Sequence, residues 1–233
     1  MTAPLHPSES SGRDRRSLQP GGDAWDERCE AFVREQMGGD AAHDLAHVRR
    51  VVAWAHRLAR AEGADLAVVL PAAWLHDCVT VPKDHPDRKR ASTLAAERAT
   101  DWLAASGFPE ELLAPVAHAI AAHSFSAGIA PETIEAEVVQ DADRLDALGA
   151  IGIARCYATA GALGAALVHP DDPVPGDSPA RALDDRRYAT DHFFAKLLRL
   201  PATMRTAAGR AEAERRAGVM RAFLDTLATE TAR

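Results

Sequence analysis

Residues 44–63 read DLAHVRRVVAWAHRLARAEG, and the spacing of their apolar side chains decides the class of the fold. Leu45, Val48, Val52, Ala55 and Ala59 recur in steps of three and four, and Val51 and Leu58 widen the same stripe. At ~3.6 residues per turn these steps share one helix face, whereas a half-buried strand would alternate every second residue. Asp44 stands where an N-cap belongs and Gly63 where a helix stops. A helix is therefore expected from near Asp44 to Gly63.

The same reading extends outward. Helices are expected from about Trp25 to Gln36, from Asp65 to Asp77 with a kink at Pro71, from Asp87 to Ser106 with Gly107 as the stop, and from Pro109 to His123. A long apolar helical region runs from Ile134 to Val168, with Gly149, Gly152, Gly161 and Gly164 marking breaks or close contacts within it. Two last helices are expected over Asp184–Leu198 and Ala207–Ala228. Cys78–Pro86 and His169–Asp177 hold the proline and aspartate of loops. There is no repeat, no sustained strand alternation, and no Rossmann or P-loop glycine pattern. The expectation is an all-α helical bundle, one domain over residues 23–233 behind a flexible tail of residues 1–22.

Composition narrows the function classes. The chain has 233 residues, 47% hydrophobic, with a formal net charge of -7. That length and apolar content suffice for one substantial core. An acidic balance argues against a nucleic acid duplex or an anionic membrane as main partner, since both need a basic surface. A small anionic substrate needs only a local positive pocket. Cys29, Cys78 and Cys156 form no C-x-x-C pair, so neither a disulfide framework nor a zinc ribbon is expected, and a reducing cytoplasm fits. No run approaches ~18 apolar residues, and the first residues lack the apolar core of a signal peptide. A homodimer stays open.

Four side chains carry the chemistry in order: His47, the doublet His76-Asp77, and an aspartate of the segment 141–146. Neutral imidazoles and ionised carboxylates are ligands that first-row divalent ions accept. Two of each would balance a 2+ charge and leave positions for water or a phosphate oxygen. Adjacent residues in mid-helix diverge by ~100°, so His76 and Asp77 can share an ion only where the helix runs out. Singly, each residue has an ordinary reading: a packing histidine, or an aspartate that caps a helix. Lys83, Arg88, Lys89 and Arg90 follow the doublet closely, and an anion pocket beside the ligands would use such cations. Lys83 and Arg88 are the choices for substrate contacts, with Arg144 beside them. Asp146 reads either as a hydroxyl-binding carboxylate or as a group orienting a ligand, and Asp44 as an N-cap or a similar support. His118 and His123, five apart, share a face only if their helix ends near His123.

The ordered set, in the contexts AAHDLAHVRRV, AAWLHDCV and QDADRLDALGAIG, resembles the signature of the HD superfamily of metal-dependent phosphohydrolases. That resemblance implies His47, His76, Asp77 and Asp143, rather than Asp141, as ligands of one divalent metal ion. Manganese is the first expectation, with magnesium, nickel, iron, cobalt and zinc as alternatives. The stretches VPKDHPDRKRAS, HAIAAHSFSAGIAPETIEA and HFFAKLLRLPATM are similar to a narrower group, the small stand-alone bacterial proteins of the YedJ/YpgQ type, over residues 25–230. This likeness implies a nucleotide pyrophosphohydrolase that releases pyrophosphate from nucleoside triphosphates. Asp77, His118 and His123 would be the catalytic residues, the histidines binding or protonating phosphate or, in a dinuclear arrangement, holding a second ion. Lys83, Arg88, Arg144 and Asp146 would contact substrate. The rivals are another HD phosphatase or phosphodiesterase (nucleoside monophosphate, cyclic nucleotide or alarmone), a nucleotide-sensing module without turnover, and a di-iron oxygenase.

Overall fold

Leu66–Leu75 (LAVVLPAAWL) carries no charge, and every residue from Val68 to Leu75 is buried. A helix that is apolar all round needs partners on every side. The computed structural model of the chain, which describes residues 22–36, 45–81 and 86–232, supplies them. In chain order the described residues form α1 (Asp23–Gln36), α2 (Leu45–Glu62), α3 (Leu66–Leu75), α4 (Ala91–Ala105), α5 (Glu110–His123), α6 (Ile134–Leu145), α7 (Gly149–Ala162), α8 (Ala189–Ala195) and α9 (Ala207–Thr231). The apolar α3 packs against α1, α2, α5 and α6; α4 covers α5, and α9 lies across α6 and α7. The only strand-like feature among the described residues is an isolated bridge, Ala166–Tyr188. The protein is all-α, as expected.

Alanine and valine line the helix contacts. Ala55, Ala59, Ala72, Ala73, Ala119, Ala122, Ala136 and Ala142 are all buried, so neighbouring backbones approach closely. Helix α2 follows the apolar stripe read from its sequence, with Val48, Val51, Val52, Ala55, Leu58 and Ala59 buried. Its expected cap, Asp44, lies outside the described residues, as do residues 1–21 of the expected tail. Helix α3 continues through Pro71 and ends at Leu75, with His76 as its C-cap. The helix expected from Asp87 begins instead with a 3-10 turn, Pro86–Arg90, before α4.

The region 134–168 divides at a turn whose geometry demands glycine. Gly149 has φ +72°, and a Cβ at Gly152 would lie 2.2 Å from the Ala147 carbonyl oxygen. The region then leaves the helix at Ala162 rather than Val168. The helix expected from Asp184 starts only at Ala189, because the backbone before it is already paired. Ala166 donates to the Arg187 carbonyl at 2.9 Å and accepts from the Ala189 amide at 2.9 Å. After α8 the chain tightens into a 3-10 segment, Leu197–Thr203, which contains Pro201.

Two buried carboxylates fix the later elements. Asp141, fully buried on α6, accepts from the amides of Arg205 (3.0 Å) and Thr206 (2.8 Å) and from the Thr206 hydroxyl (2.8 Å). It thus sits on the positive end of α9, where a carboxylate stabilises most. Gly209 completes the fit, since a Cβ there would come 2.5 Å from Asp141 Oδ2. Asp191, also fully buried, accepts two 2.6 Å bonds from Arg181 and one of 2.7 Å from the Asp184 amide, so it ties the irregular 163–188 stretch to α8.

Burial alone would raise the Asp191 carboxyl, but the Arg181 guanidinium and the Asp184 amide outweigh it and hold it below the usual carboxylate range. A carboxyl depressed in the folded state contributes stability that is complete above its unfolded value, ~3.9, and is lost as pH falls through the folded value. Denaturant titrations should therefore find Asp191→Asn less stable at pH 7 by about 3 kcal/mol, with the difference shrinking as pH falls below ~4. Parallel pH profiles for the two proteins would assign the acid sensitivity elsewhere.

Candidate metal centre

Four helix ends meet at one end of the bundle and bring the chemistry together. His47 lies in the first turn of α2, His76 caps α3, His123 is the last residue of α5, and Asp143 stands in the last turn of α6. His47, His76 and His123 are 2%, 0% and 6% exposed, which makes a solvated-surface role untenable for any of them. The ligand atoms of His47, His76 and Asp143 lie within 4.8 Å of one another, and so do those of His76, Asp77 and His123. The two triads share His76. Asp143 Oδ1 is 3.5 Å from His47 Nε2 and 3.9 Å from His76 Nε2, and the Asp77 carboxylate is 3.6 Å from both His76 Nε2 and His123 Nε2.

The orientation of the histidines follows from helix ends. The last carbonyls of a helix have no intrahelical donor. His76 Nδ1 donates to the Ala73 carbonyl at 2.8 Å, and His123 Nδ1 donates to the Ile120 carbonyl at 2.6 Å. Each ring satisfies one orphan acceptor three residues back and so turns its Nε2 toward the shared centre. His47, at a helix start, has no such carbonyl. Its Nδ1 donates to Asp146 Oδ2 at 2.7 Å instead. In all three rings an oxygen fixes the Nδ1–H tautomer and leaves the Nε2 lone pair facing inward, the arrangement by which metal-binding histidines are usually supported.

This geometry passes a direct test for a cation. His76 Nε2 is buried with no hydrogen-bond partner, and an orphaned buried nitrogen costs about 1–3 kcal/mol unless something accepts its lone pair. Burial pushes the His76 pKa down against the pull of Asp77 and Asp143, so the ring is neutral and able to ligate. Burial disfavours the charged form of His123 too, but the hydrogen bond and charge of Asp77, aided by Asp143, prevail and raise its pKa. The two neighbouring imidazoles are thus shifted in opposite directions. The donor set of imidazole nitrogens and carboxylate oxygens suits a first-row divalent ion.

Behind His47 stands a network that the sequence does not signal. Asp146 is 3% exposed and accepts two bonds from Arg50, 2.7 Å at Nε and 3.0 Å at Nη2. Arg155 Nη1 also donates to Asp146 Oδ2; it lies 3.1 Å from His47 Nδ1, but a ring N–H cannot accept from it. Burial would raise the Asp146 carboxyl, yet hydrogen bonds from His47 and Arg50 and the Arg155 charge depress it strongly. The expectation that Asp146 contacts substrate is corrected: both of its oxygens are engaged in the interior, and it positions His47.

A cleft of about 760 Å³ opens from the centre. Its wall includes His47, Asp77, His123 and Asp143, the cations Arg144, Arg155, Lys196 and Arg199, and a further carboxylate, Asp185. Arg144, expected as a substrate contact, lines the cleft but gives Nη1 to Thr203, 2.7 Å from the carbonyl and 3.3 Å from Oγ1. His118 corrects a further expectation. Although α5 ends at His123 as required, His118 Nε2 accepts from the Glu132 amide at 2.9 Å, and the ring is in neither triad. Lys83 lies outside the described residues, and Arg88 belongs to the 3-10 turn Pro86–Arg90 with its side chain outside them. Arg50 has one available signal, its place one turn after His47. Arg155 has none, and Lys196 and Arg199 have only their place in the stretch HFFAKLLRLPATM; all three are supplied by remote elements.

The HD domain family model matches residues 44–148. The uncharacterized protein YpgQ of Bacillus subtilis (strain 168) is 38% identical over 206 residues, covering 86% of this chain and 91% of that protein. The crystal structure of Bacillus subtilis YpgQ in complex with ADP is similar with a TM-score of 0.70 at 34% identity, covering 89% of this chain and 95% of that one. An HD-superfamily hydrolase from Bacillus thuringiensis gives 0.69 at 33% identity, covering 90% and 98%.

The two neighbouring aspartates separate site from scaffold. Asp143→Asn should lose tightly held divalent metal, because an amide is a poor ligand and removes one balancing charge. Asp141→Asn should retain metal but melt earlier, by about 1–3 kcal/mol of stability. Asp146→Asn should weaken metal binding ~10- to 100-fold without abolishing it. Elemental analysis and competition with a chelator read all three; full metal in Asp143→Asn would remove that residue from the ligand set.

Proposed function

The chain belongs to the HD-domain family, and from that premise we propose that it is a metal-dependent phosphohydrolase that releases pyrophosphate from (deoxy)nucleoside triphosphates. The observation that carries the reading is the convergence of His47, His76, Asp77 and Asp143 around the unpartnered His76 Nε2, at the end of a cleft that also presents cations. The nucleotide is supported by likeness: a structure of the relative YpgQ contains ADP. A cleft of about 760 Å³ is of the size that holds such a ligand.

In this proposal His47, His76, Asp77 and Asp143 hold one divalent ion, manganese in the first instance. A bound ion supplies Lewis acidity toward a phosphoryl oxygen and toward an attacking water. The protein's own groups do the rest. Asp77 and Asp143 would balance the charge of the ion. His123, beside Asp77 on the cleft wall, would pass a proton to a phosphate oxygen as negative charge grows on it. Arg155 reaches the cleft from the interior network and adds positive charge beside His47.

A second reading, hydrolysis of a phosphodiester at two ions, draws on one observation, the overlapping triad of His76, Asp77 and His123. The titre of metal per chain discriminates, one ion for the first reading and two for the second. For the reaction itself, a panel of nucleoside tri-, di-, mono- and cyclic phosphates should be incubated with the manganese-loaded protein and the products separated. The expected product from triphosphates is pyrophosphate with the nucleoside monophosphate. Orthophosphate as the first product, or turnover confined to monophosphates or cyclic nucleotides, would overturn the reading.

A further inference from the structure

Of the four lysine and arginine side chains that line the cleft, two are already committed. Arg155 binds Asp146, and Arg144 is bonded to Thr203. Lys196 and Arg199 differ. Both are exposed, both line the cleft, and neither forms an ion pair or a side-chain hydrogen bond among the described residues. In a chain with 34 acidic and 27 basic residues, these are two uncommitted cations on a wall that also carries the carboxylates Asp77, Asp143 and Asp185, and they are the groups there that can take up an anion without breaking an existing bond.

Their backbone is held in place. Lys196 joins α8 to the 3-10 segment, with φ -138° and ψ -58°, and its amide donates to the His192 carbonyl at 3.0 Å. Buried Phe193, Phe194 and Leu197 anchor the chain on either side of it, and Phe193 stacks on Phe223 at 6.0 Å. At the far end of the segment Arg144 grips Thr203. Arg144 follows the ligand Asp143 directly, so the strut that fixes the cationic segment starts one residue from the metal centre. The held backbone sets where the two cationic side chains rise from the cleft wall.

We propose that Lys196 and Arg199 form a clamp for the phosphate tail beyond the reacting phosphorus, and so set a preference for polyphosphate over monophosphate substrates. The inference rests on the reading that a phosphate substrate enters this cleft. It adds to the sequence-based choices for substrate contacts, Lys83 and Arg88, two residues more than a hundred positions further along the chain. The lysine supplies a point charge and the guanidinium a planar fork, a combination that suits two successive phosphates.

The test uses the full-length, manganese-loaded protein and two inorganic probes, the manganese complex of tripolyphosphate and orthophosphate, in titration calorimetry. Lys196→Gln/Arg199→Gln should weaken tripolyphosphate binding ~10- to 100-fold and leave orthophosphate within about twofold. Metal content and melting temperature should match the parent, since both side chains are exposed. Lys196→Arg should retain most of the tripolyphosphate affinity. Unchanged tripolyphosphate binding, or an equal loss for both probes, would overturn the clamp. Because the readout is binding, the clamp stands or falls whether or not the nucleotide panel yields pyrophosphate; a protein that binds tripolyphosphate through these residues but turns over no triphosphate would sink only the proposed reaction.

Discussion

The structure turns on one buried nitrogen. His76 Nε2 sits at the end of the most apolar helix of the protein, fully enclosed and without a hydrogen-bond partner, while Nδ1 of the same ring is fastened to the Ala73 carbonyl. A lone pair in such a place is tolerated only if a cation can take it or if the surrounding structure compensates the loss. Asp143 and Asp77, 3.9 Å and 3.6 Å away, surround that nitrogen with negative charge that also needs a counter-ion. The helices are arranged so that this requirement is met at their ends. Termination of α3 and α5 supplies the orphan carbonyls that orient His76 and His123, and the start of α2, which lacks them, recruits Asp146 for His47. The apolar α3 makes the arrangement rigid, because its surroundings are packed on every side.

The cleft carries charge of both signs. The acidic and imidazole end suits a divalent ion, and the basic residues contributed by α6, α7 and the segment after α8 suit the anion that such an ion would bring with it. The interior pair Asp146 and Arg155 links the two halves: the carboxylate orients a metal-facing ring while the guanidinium that neutralises it reaches the cleft. Asp141 and Asp191 resemble site residues in type but not in surroundings. Each is buried with its oxygens filled by amides, hydroxyl or guanidinium, and each serves to seat a helix.

Much of this is legible in the amino-acid sequence. Period and stop signals place α1, α2, α3, α5 and the long final helix to within a few residues, because amphipathic spacing and glycine or aspartate boundaries are local properties. The ordered set His47, His76-Asp77 and Asp143 is legible too, since each sits beside a readable helix end. What escapes is non-local. The stretch before α8 reads as helix in composition, yet its backbone pairs with Ala166, some twenty residues earlier. Asp146 reads both as a substrate contact and as a support for a ligand, because its partners Arg50 and Arg155 arrive from other helices. His118 reads as equivalent to His123 because spacing alone does not reveal that a loop amide at Glu132 occupies its ring nitrogen. Lys196 and Arg199 lie in the stretch HFFAKLLRLPATM, but their spacing alone does not place them at the cleft, to which the tertiary fold brings them.

The central claim, that four side chains around His76 Nε2 form a divalent-metal site, is tested most directly by anomalous diffraction at the manganese edge from crystals grown with that ion. The account predicts a principal peak within coordination distance of His47 Nε2, His76 Nε2 and the carboxylates of Asp77 and Asp143. A peak elsewhere in the molecule, or none in this pocket at saturating manganese, would contradict it.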